Sequence, residues 1–310
     1  MDSPVAHHFP PVAFRQGKKY LWNRIHRKTL ENQPEERVRL RYIDYLVLET
    51  GWPQSRIASE AAVQRSDQGY PLRADLICYS KDLKPEILVE CKSESVSLNE
   101  VTAIQAARYN RTLNANFICI TNGILDYWYQ MKSKKAVELN KSPLQLKTGL
   151  SQLRRHPGYW QDRGFVGKTS SASIQHGLTR ILSAFWSDEY SWTSKYLNIR
   201  QKLQGLQFNH YYRLVTLDPA RRLALTFLRS ADERSYVGAI LNENHKNRGM
   251  LLVNLDQLSE GQAENCRLYT NDKQLTLDAR THLPIHFTDP DPRMIRHLPE
   301  HIDQIFQKYR

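Results

Sequence analysis

The chain has 310 residues, of which 40% are hydrophobic and 25% are charged, as expected for a folded protein of one or two domains. No stretch approaches the roughly 20 consecutive apolar residues of a membrane-spanning helix, and the N-terminus lacks the apolar core of a signal peptide. We therefore expect a cytoplasmic protein with no membrane partner. The formal net charge of +12 favours a polyanion such as nucleic acid, although solubility alone explains the same charge.

Residues 1–19 are proline-rich and then basic, and we expect them to form an N-terminal arm. The first predicted helix lies within Lys28–Thr50, where apolar side chains recur at helical spacing. Glu35 and Glu36 fall in its first turn, where carboxylates stabilise a helix by interacting with its dipole.

Three strands are predicted after this helix. The first is Arg56–Gln64, and a polar turn at Arg65–Gly69 separates it from the second. The second strand, Arg73–Tyr79, carries Asp75 near its start. The third lies within Pro85–Glu94, where a short apolar run is bounded by a proline and a polar cluster, as is typical of a buried strand.

Two opposite charges lie at the end of the third strand. Because side chains alternate along a strand, Glu90 and Lys92 lie on one face and Cys91 lies on the other, towards the core. Charges at the end of a buried strand require a partner or a metal ion. If the second and third strands are neighbours, Asp75 meets Glu90 at one edge of the sheet, and two carboxylates can hold Mg²⁺ or Mn²⁺.

A second helix is predicted at Ser97–Leu113, directly after the lysine. Gln105 and Tyr109 are four residues apart and share one face of this helix. A strand, a hairpin turn and two further strands follow, at Asn116–Thr121, Asn122-Gly123, Leu125–Met131 and Ala136–Leu139.

The second half of the chain has no recognisable chemical motif. Residues 141–170 are rich in prolines, glycines and basic residues, which is typical of a linker. A helix at Ile174–Trp186 opens the part from 171 to 310, and a helix at Met294–Tyr309 closes it. Between them, short strands predict a small antiparallel sheet, at Tyr211–Leu217, Arg222–Leu228, Tyr236–Leu241 and Met250–Leu255.

Asp75 followed by Glu90-Cys91-Lys92 resembles the PD-(D/E)xK nuclease motif. The wider stretch Pro34–Tyr129 is similar to the N-terminal nuclease region of type I restriction enzyme R subunits, and to small proteins built from that region alone. Ala74 stands where the motif has proline, but the aspartate carries the chemistry. The chain has no ATPase motif, so the resemblance is to the nuclease part without the helicase motor. Six pieces match in order: PEERVR (Pro34–Arg39), GWP (Gly51–Pro53), RADL (Arg73–Leu76), VECK (Val89–Lys92), QAARYN (Gln105–Asn110) and ITNG (Ile120–Gly123).

The resemblance implies an α+β fold with a restriction-endonuclease-like core, in which helices flank a mixed central sheet. We expect this core at residues 20–140. A linker at 141–170 would connect it to a mostly-β domain at 171–310, whose role the sequence leaves open between binding DNA, a protein partner or a second copy of itself.

The resemblance also implies the activity, a Mg²⁺-dependent endodeoxyribonuclease acting in defence against foreign DNA. Asp75 and Glu90 would bind the metal, and the Cys91 carbonyl would supply a further oxygen. Lys92 would orient the attacking water or stabilise the developing negative charge. Gln105, as part of a QxxxY element, would fix the site or contact the substrate.

Several residues keep a second interpretation. A glutamate of the first helix often adds a metal ligand in this class, and Glu36 or Glu35 matches by position, but an interaction with the helix dipole explains either residue equally well. Glu60 lies in the middle of the first strand, where it could stand near the metal or be an outward-facing charge, and we favour the second interpretation. The QxxxY pair is also consistent with a polar helix face and a half-buried tyrosine.

The overall function has alternatives too. The chain could be a binding module that keeps the nuclease fold to hold DNA or a partner without cutting, or a nuclease that acts on RNA. An enzyme that cuts both strands of DNA usually needs two active sites. A homodimer would supply them and is therefore a possible assembly.

Overall fold

In the computed structural model the chain divides into two compact units. One comprises Met1–Ala13 with Tyr20–Leu153, and the other comprises Phe14–Lys19 with Arg154–Arg310. No helix in the described ranges is both long and apolar enough to cross a membrane. Most of the turn predicted at Arg65–Gly69 lies outside the described residues. The structure describes residues 1–65, 71–133, 135–148, 155–187, 189–199 and 209–309.

The N-terminal segment, predicted as an arm at residues 1–19, contains regular elements. It begins with a 3-10 helix, Pro4–His7, in which Val5 is fully buried. Three short strands then pair in the order β1-β2-β3, at Val12–Arg15, Lys18–Asn23 and Lys28–Leu30.

The first unit is built on a mixed six-stranded sheet in the order β4-β5-β6-β7-β8-β9. All neighbouring strands are antiparallel except β6 and β7, and α2 forms the crossover between these two. Its elements are α1 Pro34–Leu48, β4 Ile57–Arg65, β5 Pro71–Tyr79, β6 Pro85–Cys91, α2 Glu100–Leu113, β7 Phe117–Thr121, β8 Asp126–Lys132 and β9 Lys135–Leu139.

Local sequence explains where these helices begin and end. Pro34 occupies the first turn of α1, where its missing N–H costs nothing. The side chain of Asn99 accepts hydrogen bonds from two backbone N–H groups at the start of α2, and Asn114 ends that helix in the left-handed conformation. Ala106 of α2 packs against the buried Ile118 and Ile120 of β7, which fixes the crossover helix on the sheet.

The second unit contains an antiparallel sheet whose seven strands pair in chain order from β10 to β16. The sequence predicted four of them, and β10, β15 and β16 were missed. The elements are α3 Pro157–Asp162, α4 Ala172–Phe185, β10 Thr193–Asn198, β11 Asn209–Thr216, β12 Arg221–Arg229, β13 Ser235–Glu243, β14 Lys246–Asn254, α5 Leu255–Ser259, β15 Cys266–Thr270, β16 Gln274–Leu277 and α6 Leu298–Tyr309.

Part of the predicted linker at 141–170 belongs to this second core. Trp160 of α3, together with Phe165 and Val166, is fully buried. The ring of Phe165 packs edge-on against those of Trp160 and Trp186. Pro157 and Gly158 of this stretch begin α3, and Gly164, with a φ of +75°, follows its end. With a mixed sheet flanked by helices in one unit and an antiparallel sheet in the other, the α+β fold predicted from the sequence is confirmed.

Candidate active site

Asp75 and Glu90 occupy neighbouring strands at matching positions. The antiparallel pairing of β5 with β6 sets Leu76 opposite Val89, so Asp75 and Glu90 are the next residues in this register. Oδ2 of Asp75 accepts a 2.8 Å hydrogen bond from the backbone N–H of Cys91. The two segments that the motif joins, RADL and VECK, therefore meet at one end of the sheet.

A third carboxylate, that of Glu60 on β4, lies in line with Asp75 and Glu90. These three residues on neighbouring strands are called the acid row below. Ser59 pairs with Leu76 and Ala61 pairs with Ala74, which sets Glu60 opposite Asp75. Glu60 has a positive φ of 53°, an uncommon conformation for a glutamate. Like charges at opposite positions destabilise a sheet unless cations compensate them.

Lys92 supplies one of these cations. Its Nζ donates a 2.8 Å hydrogen bond to Oε1 of Glu90, whose side chain is only 3% exposed. Burial raises the pKa of Glu90 to about 7, the nearby Asp75 carboxylate acts in the same direction, and Lys92 opposes both. Burial lowers the pKa of Lys92, but the bond to Glu90 together with the negative charges of Glu90, Glu35 and Asp75 outweighs this effect and leaves that pKa raised. The lysine is therefore charged beside a carboxyl group that titrates near neutral pH.

Arg39 of α1 supplies the second cation and connects three carboxylates. Its guanidinium bonds to Oε1 of Glu36, lies 3.3 Å from Oε1 of Glu60 and lies 3.5 Å from Oδ1 of Asp75. The side chain is only 7% exposed, so water screens these ion pairs weakly. Although burial lowers the pKa of Arg39, the carboxylates around it raise that pKa above its ordinary value.

Besides Glu90, two carboxyl groups near Arg39 have raised pKa values, those of Asp75 and Glu36. Burial raises the pKa of Asp75, against the lowering effects of Arg39 and of the Cys91 N–H. Burial likewise raises the pKa of Glu36, and the charges of Glu60 and Asp75 add to that shift. Such a group of shifted carboxyls in one place is typical of functional sites.

Two carboxylate oxygens of this cluster are buried without a hydrogen bond from the described residues, namely Oε2 of Glu90 and Oε2 of Glu36. Such oxygens are costly unless another group binds them. No group of three or more Asp, Glu, His and Cys side chains in the described ranges is arranged to hold a metal ion. Mg²⁺, however, is usually held by one or two carboxylates and keeps several waters, so Asp75 and Glu90 fit a site for this ion.

The thiol of Cys91 is a poor metal ligand in this arrangement. It is 1% exposed, and burial raises its pKa well above the ordinary value. A protonated thiol on the core side of β6 offers little to a hard cation. Any contribution of Cys91 to a metal site would therefore come from its backbone carbonyl.

The structure does not join Gln105 to the carboxylates. Its amide donates a 3.1 Å hydrogen bond to the hydroxyl of Tyr109, one turn further along α2. Among the described residues, no hydrogen bond or ion pair links Gln105 to Asp75, Glu90 or Lys92. The pair predicted from the sequence is formed, but its role at the site stays a prediction.

Sequence reasoning missed two members of the cluster. Arg39 lies inside the matched piece PEERVR, yet nothing local distinguishes it from Arg37 and Arg41 on the same helix. Glu60 was interpreted as an outward-facing charge, and the structure instead sets its carboxylate against Arg39. Only the pairing of β4 with β5 could have shown this, because that register sets which acids are opposite one another.

The fold and the site together define a restriction-enzyme-like α+β unit, with an acid row and a lysine at the end of the central strands. Residues 34–143 match the family model for the N terminus of the type I restriction enzyme R protein, HSDR_N. The resemblance drawn from the sequence is thereby confirmed for this segment, and the match indicates a nuclease- or restriction-related role. No curated protein and no solved structure matched the chain.

Proposed function

We propose that the unit containing residues 34–143 is a metal-dependent nuclease that hydrolyses DNA phosphodiester bonds. The observation that carries this proposal is the adjacency of Asp75 and Glu90 across β5 and β6, with Lys92 bonded to Glu90. Oε2 of Glu90, which is buried and accepts no hydrogen bond from a described residue, supports a cation as the partner of this oxygen.

Each residue has a distinct role in this proposal. Asp75, Glu90 and the Cys91 carbonyl would hold Mg²⁺ or Mn²⁺, with Glu36 as a further carboxylate nearby. When bound, the ion supplies an activated water and neutralises charge on the phosphate. Lys92 positions the water or stabilises the negative charge that develops on the phosphate oxygens. Arg39 holds Asp75 and Glu36 in place.

The choice of DNA as substrate rests on two supports. The formal net charge of +12 favours a polyanion. The family matched by residues 34–143 is the N terminus of a restriction enzyme subunit. We extend the proposal to restriction, that is, defence against foreign DNA, on the second of these alone.

One observation favours a second function, a module that binds DNA or a protein partner without cutting. Arg39 already compensates Asp75, Glu36 and Glu60, and no group of three side chains in the described ranges is arranged around a metal. A cluster neutralised in this way is stable without an ion, and it could survive in a protein that has lost catalysis.

The two functions are separated by incubating supercoiled plasmid with the full chain and Mg²⁺ or Mn²⁺, with and without a chelator. The nuclease proposal requires nicked or linear product that the chelator abolishes. Linear product formed without a nicked intermediate would indicate two sites acting together in a homodimer. Binding of plasmid with no cleavage in either metal would favour the second function.

Substitutions of Asp75 and Lys92, with a control substitution outside the site, test whether any cleavage arises at this site. In Asp75→Asn the amide oxygen can still accept the Cys91 N–H, so we expect the fold to persist while cleavage falls at least about a hundredfold. We expect a similar loss in Lys92→Ala. Lys84→Ala, an exposed residue between β5 and β6, is the control and should cut normally. Wild-type cleavage by Asp75→Asn or Lys92→Ala would refute the assignment.

A further inference from the structure

A second concave site lies in the first unit, at the opposite end of β6 from the acid row. It is a cavity of about 460 Å³, and Ile87 of β6 and Phe117 of β7 line its floor. The pairing of Ile87 with Phe117 sets both side chains at the start of these parallel strands. Volumes of roughly 300–1,000 Å³ are typical of small-molecule sites.

Residues 49–51 and residues 147–148 approach each other closely and form one wall of this cavity. The backbone N–H groups of Lys147 and Thr148 both bond to the carbonyl of Glu49, at 2.8 and 3.0 Å. Gly51 has a φ of +64°, and a Cβ there would lie 2.5 Å from the Cδ of Lys147. The glycine therefore gives the chain its turn and leaves room for the lysine at the rim.

Aromatic surface faces this cavity. Trp52 and Phe117 are half-buried and line it, and the guanidinium of Arg56 lies 5.9 Å from the centre of the Trp52 ring. The indole N–H of Trp52 is buried and has no acceptor among the described residues. A donor in this state needs a partner, and a ligand with a hydrogen-bond acceptor would provide one.

The cavity is also strongly basic. Arg56, Lys81 and Lys147 line it, and none of them takes part in an ion pair with a described residue. The one carboxylate in the lining, Glu86, already accepts a 2.9 Å hydrogen bond from Asn116. Three uncompensated cations around an aromatic floor attract an anion that also has a flat, hydrogen-bonding ring.

We propose that this cavity binds a nucleotide, with the base against Trp52 and the phosphate among Arg56, Lys81 and Lys147. A purely apolar ligand would leave the cations uncompensated, and an inorganic anion would leave the aromatic surface and the indole N–H unused. The proposal is independent of the nuclease activity, because none of its residues belongs to the acid row.

Two sources can supply this ligand, a free nucleotide or an unpaired nucleotide of a DNA strand. Because side chains alternate along β6, Ile87 and Glu90, three residues apart, lie on opposite faces of the sheet, so a strand bound at this cavity is distinct from one bound at the acid row. Both sources share the same chemistry, and the experiment has an arm for each.

The test is calorimetric titration of the full chain, in EDTA so that no DNA is cut, with dAMP, with a hexamer of deoxyadenylate and with inorganic phosphate. The double variant Lys81→Gln/Lys147→Gln removes two cations, and Trp52→Leu removes the stacking surface. Lys84→Gln is the matched control, since Lys84 follows Lys81 closely but does not line the cavity. Circular dichroism and Tm establish that each variant folds.

We expect dAMP or the hexamer to bind, and the double variant to bind it at least about tenfold more weakly, with Lys84→Gln unchanged. Binding of dAMP indicates a free nucleotide, and binding of the hexamer alone indicates a strand. Asp75→Asn should bind as tightly as the wild type, which separates this result from any failure of the nuclease proposal. The proposal is overturned if neither probe binds, if the double variant binds as well as Lys84→Gln, or if phosphate binds as tightly as dAMP.

Discussion

The backbone N–H of Cys91 donates to Oδ2 of Asp75 across 2.8 Å, so a side chain takes the place of a strand partner where β5 and β6 separate. This bond uses one oxygen of Asp75 and fixes the carboxylate beside Glu90. Oδ1 of the same carboxylate lies 3.5 Å from Arg39. The acid that the proposed metal needs is therefore held in position from two sides before any ligand arrives.

Cys91 provides a test of how the VECK segment contributes to the site. Because its thiol is buried and its pKa is raised well above the ordinary value, we expect only its backbone to matter. Cys91→Ala should cut DNA at close to the wild-type rate and lose about 1 kcal/mol of stability from the small cavity. Plasmid cleavage and urea denaturation measure the two effects. Loss of cleavage in a folded Cys91→Ala would point to a thiol ligand instead.

Arg39 is expected to stabilise the fold through its three carboxylates. Arg39→Ala removes the one guanidinium that Asp75, Glu36 and Glu60 share, which should cost about 3–5 kcal/mol near pH 8. At pH 5 the cost should be smaller, because carboxyls with raised pKa values are then partly protonated.

Urea denaturation at the two pH values measures this difference. Arg108→Ala, an exposed position on α2, is the control and should change stability by less than about 0.5 kcal/mol. An Arg39→Ala protein that loses as much stability at pH 5 as at pH 8 would contradict the electrostatic account.

The titration of Glu90 predicts how the stability of the metal-free chain depends on pH. Burial and Asp75 raise its pKa from the ordinary 4.5 to about 7 in the folded chain. Between these values the folded chain keeps a proton that the unfolded chain has released. The free energy of unfolding therefore falls as pH rises through this window, by a Glu90 contribution on the order of 3 kcal/mol, and the Glu90 contribution is constant above about pH 7.

Glu90→Gln isolates this effect, because the amide does not titrate. Measured in EDTA from pH 4.5 to 8, the wild type should lose stability relative to Glu90→Gln as pH rises. Asp75, whose pKa is also raised, adds a change of the same sign to both proteins. If the wild type instead gained stability relative to the variant, the assigned direction of the shift would be wrong.

Gln105 and Tyr109 allow the QxxxY prediction to be tested. Gln105→Ala should slow plasmid cleavage about tenfold while the Tm stays close to that of the wild type, if the amide assists the site. Tyr109→Phe removes only the acceptor of the 3.1 Å bond and leaves the amide in place, so it should affect cleavage less. Equal and normal cleavage by both variants would leave this pair as a structural feature of α2.

Local sequence predicted the strands and helices of the first unit from α1 to β9. The apolar run before Glu90 predicted β6, and the Asn122-Gly123 turn predicted the hairpin of β7 and β8, where Gly123 has a φ of +79°. Alternation along a strand also set Glu90 and Lys92 on one face, where the structure pairs them. Strands, turns and the alternation of side chains depend on residues that are close together in the chain. The sequence alone is therefore sufficient to predict them.

Only the tertiary structure decided which charges surround Asp75. Glu60 is opposite Asp75 because of the register between β4 and β5, and Arg39 of α1 lies within ion-pair distance of both carboxylates. Likewise, three strands of the second sheet were identified only by their partners. Register and packing are set by contacts between distant segments, and a local pattern of polar and apolar residues does not encode which segments meet.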